Sequence, residues 1–202
     1  MVGSHIIKLS YHSPEGIKYK NMTAQELLER YANGERDFQG VDLSKANLNR
    51  ANLTNINLSG ANLNSAHLFE ANLTGANLSN VDLSYADLTE AYLTNSNLTD
   101  ANLTGADLTE AKLIGANLSK ANLTEVNMGL VNMSNSNLYQ ANLTGANLYM
   151  ANLSSACLSE ANLTAADLRG ANLSRTNMTR VKIEAIAITV DWPEEKAKFS
   201  VF

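Results

Sequence analysis

Residues 71–90 read Ala-Asn-Leu-Thr-Gly, Ala-Asn-Leu-Ser-Asn, Val-Asp-Leu-Ser-Tyr and Ala-Asp-Leu-Thr-Glu, which are four successive copies of one five-residue unit. The unit extends in both directions, because every fifth residue from Phe38 to Ile188 is leucine, methionine, isoleucine or phenylalanine. A small or β-branched residue usually stands two positions earlier, and asparagine usually stands one position earlier. So strict an internal repeat predicts a solenoid before any single motif is considered.

A period of five residues excludes an amphipathic α-helix, since each step of five turns the helix by about 140° net and spreads the leucines around all sides. Part of the unit suits a strand, in which the first and third residues point one way and the second points the other way. Because five is odd, a turn in every repeat is needed to return each leucine to the same side. Serine or threonine in the fourth position and glycine in the fifth position favour that turn.

At these residues the sequence resembles the pentapeptide-repeat family, whose unit is Ala-(Asp/Asn)-(Leu/Phe)-x-x, over about three quarters of the chain. The resemblance implies an all-β solenoid, a right-handed quadrilateral β-helix with four repeats per coil. The repeats then make about 7 to 8 coils and a rod about 36 Å long at the ordinary strand spacing of about 4.8 Å. We expect the leucines to stack inside and the outward asparagines to hydrogen-bond from coil to coil.

A short helix is predicted ahead of the repeats. Thr23 and Glu26 form a capping box, apolar residues follow at helical spacing, and Asn33-Gly34 is a stop signal. These signals predict a helix over roughly 24–33 that caps the first coil, because an open solenoid end exposes apolar edges. The segment also resembles the lead-in of cyanobacterial members of the family.

Four segments are therefore expected along the chain. They are an N-terminal extension (1–20), a capping-helix region (21–36), the β-helix (37–190) and a C-terminal cap or tail (191–202). Residues 1–5 are either the native start or a cloning remnant. In the tail, Trp192, Phe199 and Phe202 either fold over the last coil or contact a second subunit, so the protein is expected to be a monomer or a C-terminal homodimer.

The sequence does not indicate an enzyme. Three histidines and the single cysteine do not form a zinc-binding pattern, and no serine or threonine has a histidine partner. We therefore expect no catalytic residue, metal or cofactor, and Cys157 is interpreted as an inert substitution. The chain has no apolar run of 18 residues and no secretory signal, which predicts a soluble, cytoplasmic protein with no membrane contact.

The charges are unevenly distributed along the chain. Residues 51–111 contain seven acidic residues and no lysine or arginine, whereas residues 169–183 contain four basic residues and no acidic one. Four repeats per coil would place Glu70, Glu90 and Glu110 above one another, with Asp87 and Asp107 on the same face. The column continues to Leu130 and Met150, beside Tyr149. This pattern indicates either a drift of surface positions toward soluble residues or a face that binds a partner.

Two functions are compatible with these observations. The first is a non-enzymatic scaffold for an unidentified protein partner, with no direct binding of nucleic acid. The alternative is a DNA-mimicking inhibitor or protector of DNA gyrase, a type II topoisomerase, as in the fluoroquinolone-resistance members of the family. Against the alternative, residues 38–183 carry 8 basic and 11 acidic residues, a net charge of only −3. Those members also use more phenylalanine in the leucine position, and several carry loops that this chain lacks.

Overall fold

The computed structural model describes residues 21–185. One helix, α1 (Ala24–Ala32), precedes the repeats. In the described part the repeats form isolated parallel bridges rather than longer strands, and each bridge pairs a residue with the one 20 positions later, from Asp37↔Asn57 to Asn162↔Lys182. The chain therefore completes one coil every four repeats.

A β-turn ends every repeat. In a typical case the Leu83 carbonyl oxygen accepts a hydrogen bond from the Ala86 N–H at 3.1 Å. The third residue of this turn, Tyr85, has a φ of 58°, as a type II turn requires. Every fifth position from Gly40 to Ala185 has a positive φ, although most of these residues are not glycine. The geometry of the coil thus imposes a left-handed backbone even on residues that disfavour it.

The backbone hydrogen bonds explain why asparagine or aspartate occupies the second position. In the repeat 81–85, the N–H groups of the first, second, third and fifth residues donate to backbone carbonyl oxygens at 3.3, 3.0, 2.7 and 3.0 Å. The remaining N–H, that of Ser84, donates to Asp82 Oδ1 at 3.0 Å. The side chain in the second position therefore satisfies the one N–H that the stacking of coils leaves over.

The predicted ladder of outward amides is also present. Asn77 Nδ2 donates to Asn57 Oδ1 on the preceding coil at 3.0 Å, and Asn137 repeats this bond to Asn117. Elsewhere the amide donates instead to a threonine hydroxyl of the preceding coil, as Asn142 does to Thr124 Oγ1 at 2.9 Å. These three asparagines thus support their own turns and the coil before them.

The core is a one-dimensional stack of side chains. The third-position leucines and first-position alanines point inward and are buried, and Leu103 is 0% exposed. This confirms the inward placement of the leucines. At the N-terminal end α1 buries Leu27 in the same core, and the Tyr31 hydroxyl donates to the Thr54 carbonyl oxygen at 2.8 Å.

The helix ends one residue before the predicted boundary. Its last residue is Ala32, because Asn33 is the C-cap. The Asn33 N–H donates to the Glu29 carbonyl oxygen at 3.1 Å, and the Gly34 N–H donates to the Tyr31 carbonyl oxygen at 3.0 Å. Leu28 remains 36% exposed although it adjoins the buried Leu27, since neighbouring helical residues point about 100° apart. The N-cap bond of the predicted capping box is present, with the Glu26 N–H donating to Thr23 Oγ1 at 3.1 Å.

Candidate interaction face

One corner of the rod carries the predicted column. We call the fifth positions of the repeats 46–50, 66–70 and so on to 166–170 the corner column. Backbone bridges between residues 47 and 67, 67 and 87, and onward at the same interval place its members one coil apart. In order along the rod, the corner column contains Arg50, Glu70, Glu90, Glu110, Leu130, Met150 and Gly170.

The acidic part of the corner column is not uniform. Glu70 Oε2 accepts a hydrogen bond from Arg50 Nε at 2.7 Å, so its charge is neutralised by the next lower coil. Glu90 and Glu110 are exposed, and no ion pair involves either within residues 21–185. Two carboxylates one coil apart repel by about 1 kcal/mol in water. The adjacent Glu90 and Glu110 therefore form the uncompensated part of the column.

Asp87 and Asp107 lie on the same face, as predicted, but their carboxylates serve the scaffold. Asp87 Oδ1 accepts the Thr89 N–H at 3.1 Å. Asp107 Oδ1 accepts the N–H and the hydroxyl of Thr109 at 2.9 and 2.6 Å. Both aspartates are half-buried. They occupy the same place as the asparagines of other repeats, so we assign them a structural role and a smaller share in any contact.

The apolar part of the column is exposed. Leu130, Tyr149 and Met150 have exposed fractions of 47%, 45% and 51%. Leu130 and Met150 have φ angles of 59° and 54°, a region that costs a residue with a β-carbon roughly 1–2 kcal/mol. Neither burial nor backbone preference therefore accounts for large apolar side chains at these two positions.

An arginine covers one side of this patch. The Arg169 guanidinium lies 5.9 Å from the centre of the Tyr149 ring, and its Nη2 donates to Asp167 Oδ2 at 2.6 Å. Hydrogen bonds from Arg169 lower the pKa of Asp167 below its ordinary 3.8, although burial acts in the opposite direction. The pKa of Arg169 is raised in turn, chiefly by the hydrogen bond to Asp167. The pair holds Arg169 at the end of the patch.

The diagonally opposite corner provides an internal comparison. It carries Asp100, Lys120, Gln140, Glu160 and Arg180, so its charges alternate in sign. Gln140 Nε2 donates to Glu160 Oε2 at 2.8 Å, and Arg180 Nη1 lies 3.6 Å from Glu160 Oε1. The fold therefore permits compensated charges at a corner, and the like-charged neighbours Glu90 and Glu110 are not a requirement of the coil.

The structure brings together all eight predicted face residues, whereas Trp192, Phe199 and Phe202 lie outside the described residues. Sequence reasoning missed Arg50, which pairs with Glu70, and Arg169, which covers Tyr149. It also missed Phe69, whose ring lies 5.5 Å from the Arg50 guanidinium. Comparing fourth-position residues at the same 20-residue interval would have found two of these three.

Other kinds of site receive no support from the described chain. Between residues 21 and 185, no group of three or more histidine, cysteine, aspartate or glutamate side chains is placed to hold a metal ion. Cys157 is a half-buried free thiol, with its Sγ 3.6 Å from Ser159 Oγ. The same part of the chain contains no helix with the length and apolar character needed to cross a membrane.

Comparison with known proteins places this geometry in context. The family model described as pentapeptide repeats matches in eight copies. The matched segments overlap and together cover residues 37–184. No curated protein sequence matches the chain.

Several solved structures are similar. HetL from the cyanobacterium Nostoc sp. strain PCC 7120, a pentapeptide repeat protein involved in heterocyst differentiation regulation, is 29% identical, with 82% of this chain and 94% of HetL covered and a TM-score of 0.33. Rfr23 from the cyanobacterium Cyanothece 51142 is 25% identical over 82% of this chain and 99% of its own, with a TM-score of 0.31. Full-length QnrB1, a plasmid-mediated fluoroquinolone resistance protein, is 21% identical over 73% and 82%, also with a TM-score of 0.31.

Proposed function

The chain belongs to the pentapeptide-repeat family, and we propose that it acts as a non-enzymatic scaffold that binds another protein along its corner column. The observation that carries the proposal is the contiguous set of exposed apolar side chains at Leu130, Tyr149 and Met150, which continues the column of Glu90 and Glu110. Exposed apolar groups that adjoin one another are typical of a contact surface. The left-handed backbone at Leu130 and Met150 makes a purely structural origin less favourable.

Finer features of the architecture form part of the same proposal. Bridges at 20-residue intervals between residues 37 and 182 support a β-helix over 37–190 with about 7 to 8 coils. The burial of Leu27 and the Tyr31 hydrogen bond to Thr54 support α1 as a cap on the first coil. The cap matters for a scaffold, because an open solenoid edge invites end-to-end association.

The proposal is tested with a double variant that removes the apolar side chains and keeps the coil. In Leu130→Gly/Met150→Gly, glycine adopts the positive φ without strain, as Gly170 already does in this column. The matched control is Asn135→Gly/Ser155→Gly, which changes two exposed fifth positions of the same coils at the next corner, with φ angles of 58°. Quantitative affinity capture from the native cell compares both variants with the parent protein.

We expect the face variant to lose at least one captured protein that the control retains. Neither variant should unfold earlier on heating, because the relief of the left-handed backbone offsets the added flexibility of glycine. The same captured proteins at the same amounts in all three samples would contradict the proposed face. A loss shared by both variants would also contradict it.

The gyrase hypothesis has one observation in its favour, the like-charged neighbours Glu90 and Glu110. The described geometry also weakens it. The corner column presents about one carboxylate per 4.8 Å of rod, whereas duplex DNA carries one charge per about 1.7 Å, and Glu70 is neutralised by Arg50. A supercoiling assay with DNA gyrase distinguishes the two functions, since a DNA mimic would inhibit at micromolar protein and a scaffold for another protein would not.

Three further statements stay predictions. A cytoplasmic location is tested by cell fractionation. The expectation that the protein is not an enzyme follows from the character of its repeats. The choice between a monomer and a C-terminal homodimer is tested by light scattering on the full chain and on a Trp192→Ala variant, which would lower the mass only if the tail joins two subunits.

A further inference from the structure

We propose that the occupant of the corner column is an α-helical segment of a partner protein that carries basic residues followed by apolar residues along one side. This inference rests on the proposed scaffold function and names the chemical class of the partner. It follows from three properties of the corner column: its backbone N–H groups are already hydrogen-bonded, its charged and apolar residues follow in a fixed order, and its members are separated by a regular distance.

Because the backbone N–H groups on this face are already hydrogen-bonded, a partner peptide cannot bind here as an added β-strand. An extended peptide binds a protein by pairing its backbone with free N–H and C=O groups at a sheet edge. In the repeat 106–110, which contributes to this face, the N–H groups of the first, second, third and fifth residues donate to backbone carbonyl oxygens at distances of 2.7–3.0 Å. The fourth N–H donates to Asp107 Oδ1 at 2.9 Å. The side of the rod thus offers side chains and no unpaired N–H, which suits a segment whose own backbone bonds are internal, namely a helix.

The order of charges selects the chemistry of the helix. Two uncompensated carboxylates, Glu90 and Glu110, are followed along the rod by Leu130 and Met150, with Tyr149 at their side. Complementarity requires lysine or arginine opposite the carboxylates and large apolar residues opposite the patch. Arg169 closes the far end of the patch and is already paired with Asp167.

The spacing agrees with a helix that lies along the rod. Successive members of the column are separated by about 4.8 Å. Helical residues on one side, three or four positions apart, rise by about 4.5 or 6.0 Å. Four contacts from Glu90 to Met150 therefore span about 14 Å on the rod and about 15–16.5 Å on a helix of three turns. Flexible glutamate and methionine side chains can absorb this difference.

The test uses synthetic helical peptides as probes. The first probe is a fluorescein-labelled peptide with lysine at its first and fifth positions and leucine at its eighth and twelfth positions, on an alanine- and glutamine-rich helix. The second has glutamate in place of both lysines, and the third has the first probe's composition in scrambled order. Fluorescence anisotropy measures binding to the full chain at low and high salt.

We expect the first probe to bind and the other two to bind at least about tenfold more weakly, with an affinity that falls as salt screens the carboxylates. Glu90→Lys/Glu110→Lys should weaken binding of the first probe and strengthen binding of the glutamate probe. Leu130→Gly/Met150→Gly should weaken binding of the first probe and of the glutamate probe. The control Asp100→Lys/Glu125→Lys makes the same change of charge at exposed fifth positions of two other corners, with φ angles of 56° and 55°, and should change neither affinity.

Several results would overturn the inference. They are equal binding of the ordered and scrambled probes, no effect of either face variant, or no binding at up to about 1 mM peptide, which corresponds to about −4 kcal/mol. Binding that appears only after residues 1–20 are removed would assign the face to that segment of the chain instead. Self-association lost in Leu130→Gly/Met150→Gly would assign it to a second copy. If affinity capture still depends on Leu130 and Met150 while no probe binds, the scaffold function stands and the helical partner does not.

Discussion

Arg50 and Glu70 lie on adjacent coils and are joined by a hydrogen bond of 2.7 Å between Nε and Oε2. The pair ends the acidic part of the corner column on its N-terminal side, just as Leu130 ends it on the other side. Of the three glutamates in the corner column, only Glu90 and Glu110 have no ion pair within residues 21–185. The three glutamates of the column are therefore not equivalent, because the charge of Glu70 is compensated by Arg50 and the charges of Glu90 and Glu110 are not.

Removal of Arg50 should change binding more than stability. Because both partners are substantially exposed, Arg50→Gln is expected to lower the free energy of unfolding by less than about 1 kcal/mol. It frees the Glu70 carboxylate and should strengthen binding of a lysine-containing probe at low salt, but not at high salt. Denaturant unfolding and anisotropy titrations measure the two effects. A large loss of stability would show that the pair holds the first coils together.

The same substitution at a buried and an exposed leucine tests the inward stack. Leu103 is 0% exposed and Leu130 is 47% exposed. Leu103→Asp is expected to lower the free energy of unfolding by more than about 3 kcal/mol, because it buries an unpaired carboxylate and leaves a cavity. Leu130→Asp should change it by less than about 0.5 kcal/mol. Thermal unfolding followed by circular dichroism compares them, and equal midpoints would refute the placement of Leu103.

Gly170 gives Met150 its space. A Cβ added at Gly170 would lie 3.1 Å from Met150 Cγ, whereas one added at Gly60 would meet nothing within 4 Å. Both glycines have positive φ, so Gly170→Ala and Gly60→Ala should each cost about 1 kcal/mol of stability. Only Gly170→Ala should move the Met150 methyl resonance and weaken peptide binding. Loss of binding in both variants would show that the side chain of Met150 is not the cause.

Replacement of a second-position asparagine by aspartate should lower stability less than replacement by alanine. Asn142 Oδ1 accepts the Thr144 N–H at 3.2 Å, and Asn142 Nδ2 donates to Thr124 Oγ1 at 2.9 Å. Asn142→Ala leaves the Thr144 N–H without its acceptor and is expected to cost about 1–3 kcal/mol. Asn142→Asp keeps that acceptor, as in natural repeats with Asp82 or Asp107, and should cost less. Denaturant unfolding compares the two, and equal losses would mean that the turn does not depend on this bond.

Acid should loosen the pair beside Tyr149. The folded pKa of Asp167 is lowered from 3.8 by the hydrogen bonds from Arg169. The stabilisation is therefore present above the unfolded value of about 3.8 and is lost as the pH falls through the lower folded value. Arg169→Gln should raise the pKa of Asp167 toward 3.8 and remove its share of the acid dependence. Carboxyl-carbon NMR titration measures the shift, and an unchanged pKa would contradict the assigned cause.

Much of the fold and the composition of the face could be predicted from the sequence. The five-residue period indicated inward leucines, and the coil length implied by the family resemblance aligned Glu90 with Glu110 and Leu130 with Met150. The capping box at Thr23 placed the start of α1 correctly. The end of α1 was less accurate, because it depends on how the helix rests on the first coil. The double role of the second-position amides was also missed, since it emerges only from a full account of the backbone N–H groups.

The sequence by itself determined the solenoid and the inward stack, because both follow from the five-residue repeat. The order of residues along each corner needed in addition the coil of four repeats that the family resemblance implied. Only the tertiary structure decided which of the aligned charges is compensated. Arg50 pairs with Glu70, and Arg169 pairs with Asp167. Asp87 and Asp107 accept hydrogen bonds within their own turns. The exposed side chains that remain in the column are Glu90, Glu110, Leu130 and Met150. The physical reason is that a long side chain extends several ångströms from its own backbone and can contact partners on its own coil or on either adjacent coil. The period of the sequence does not specify which of these contacts forms.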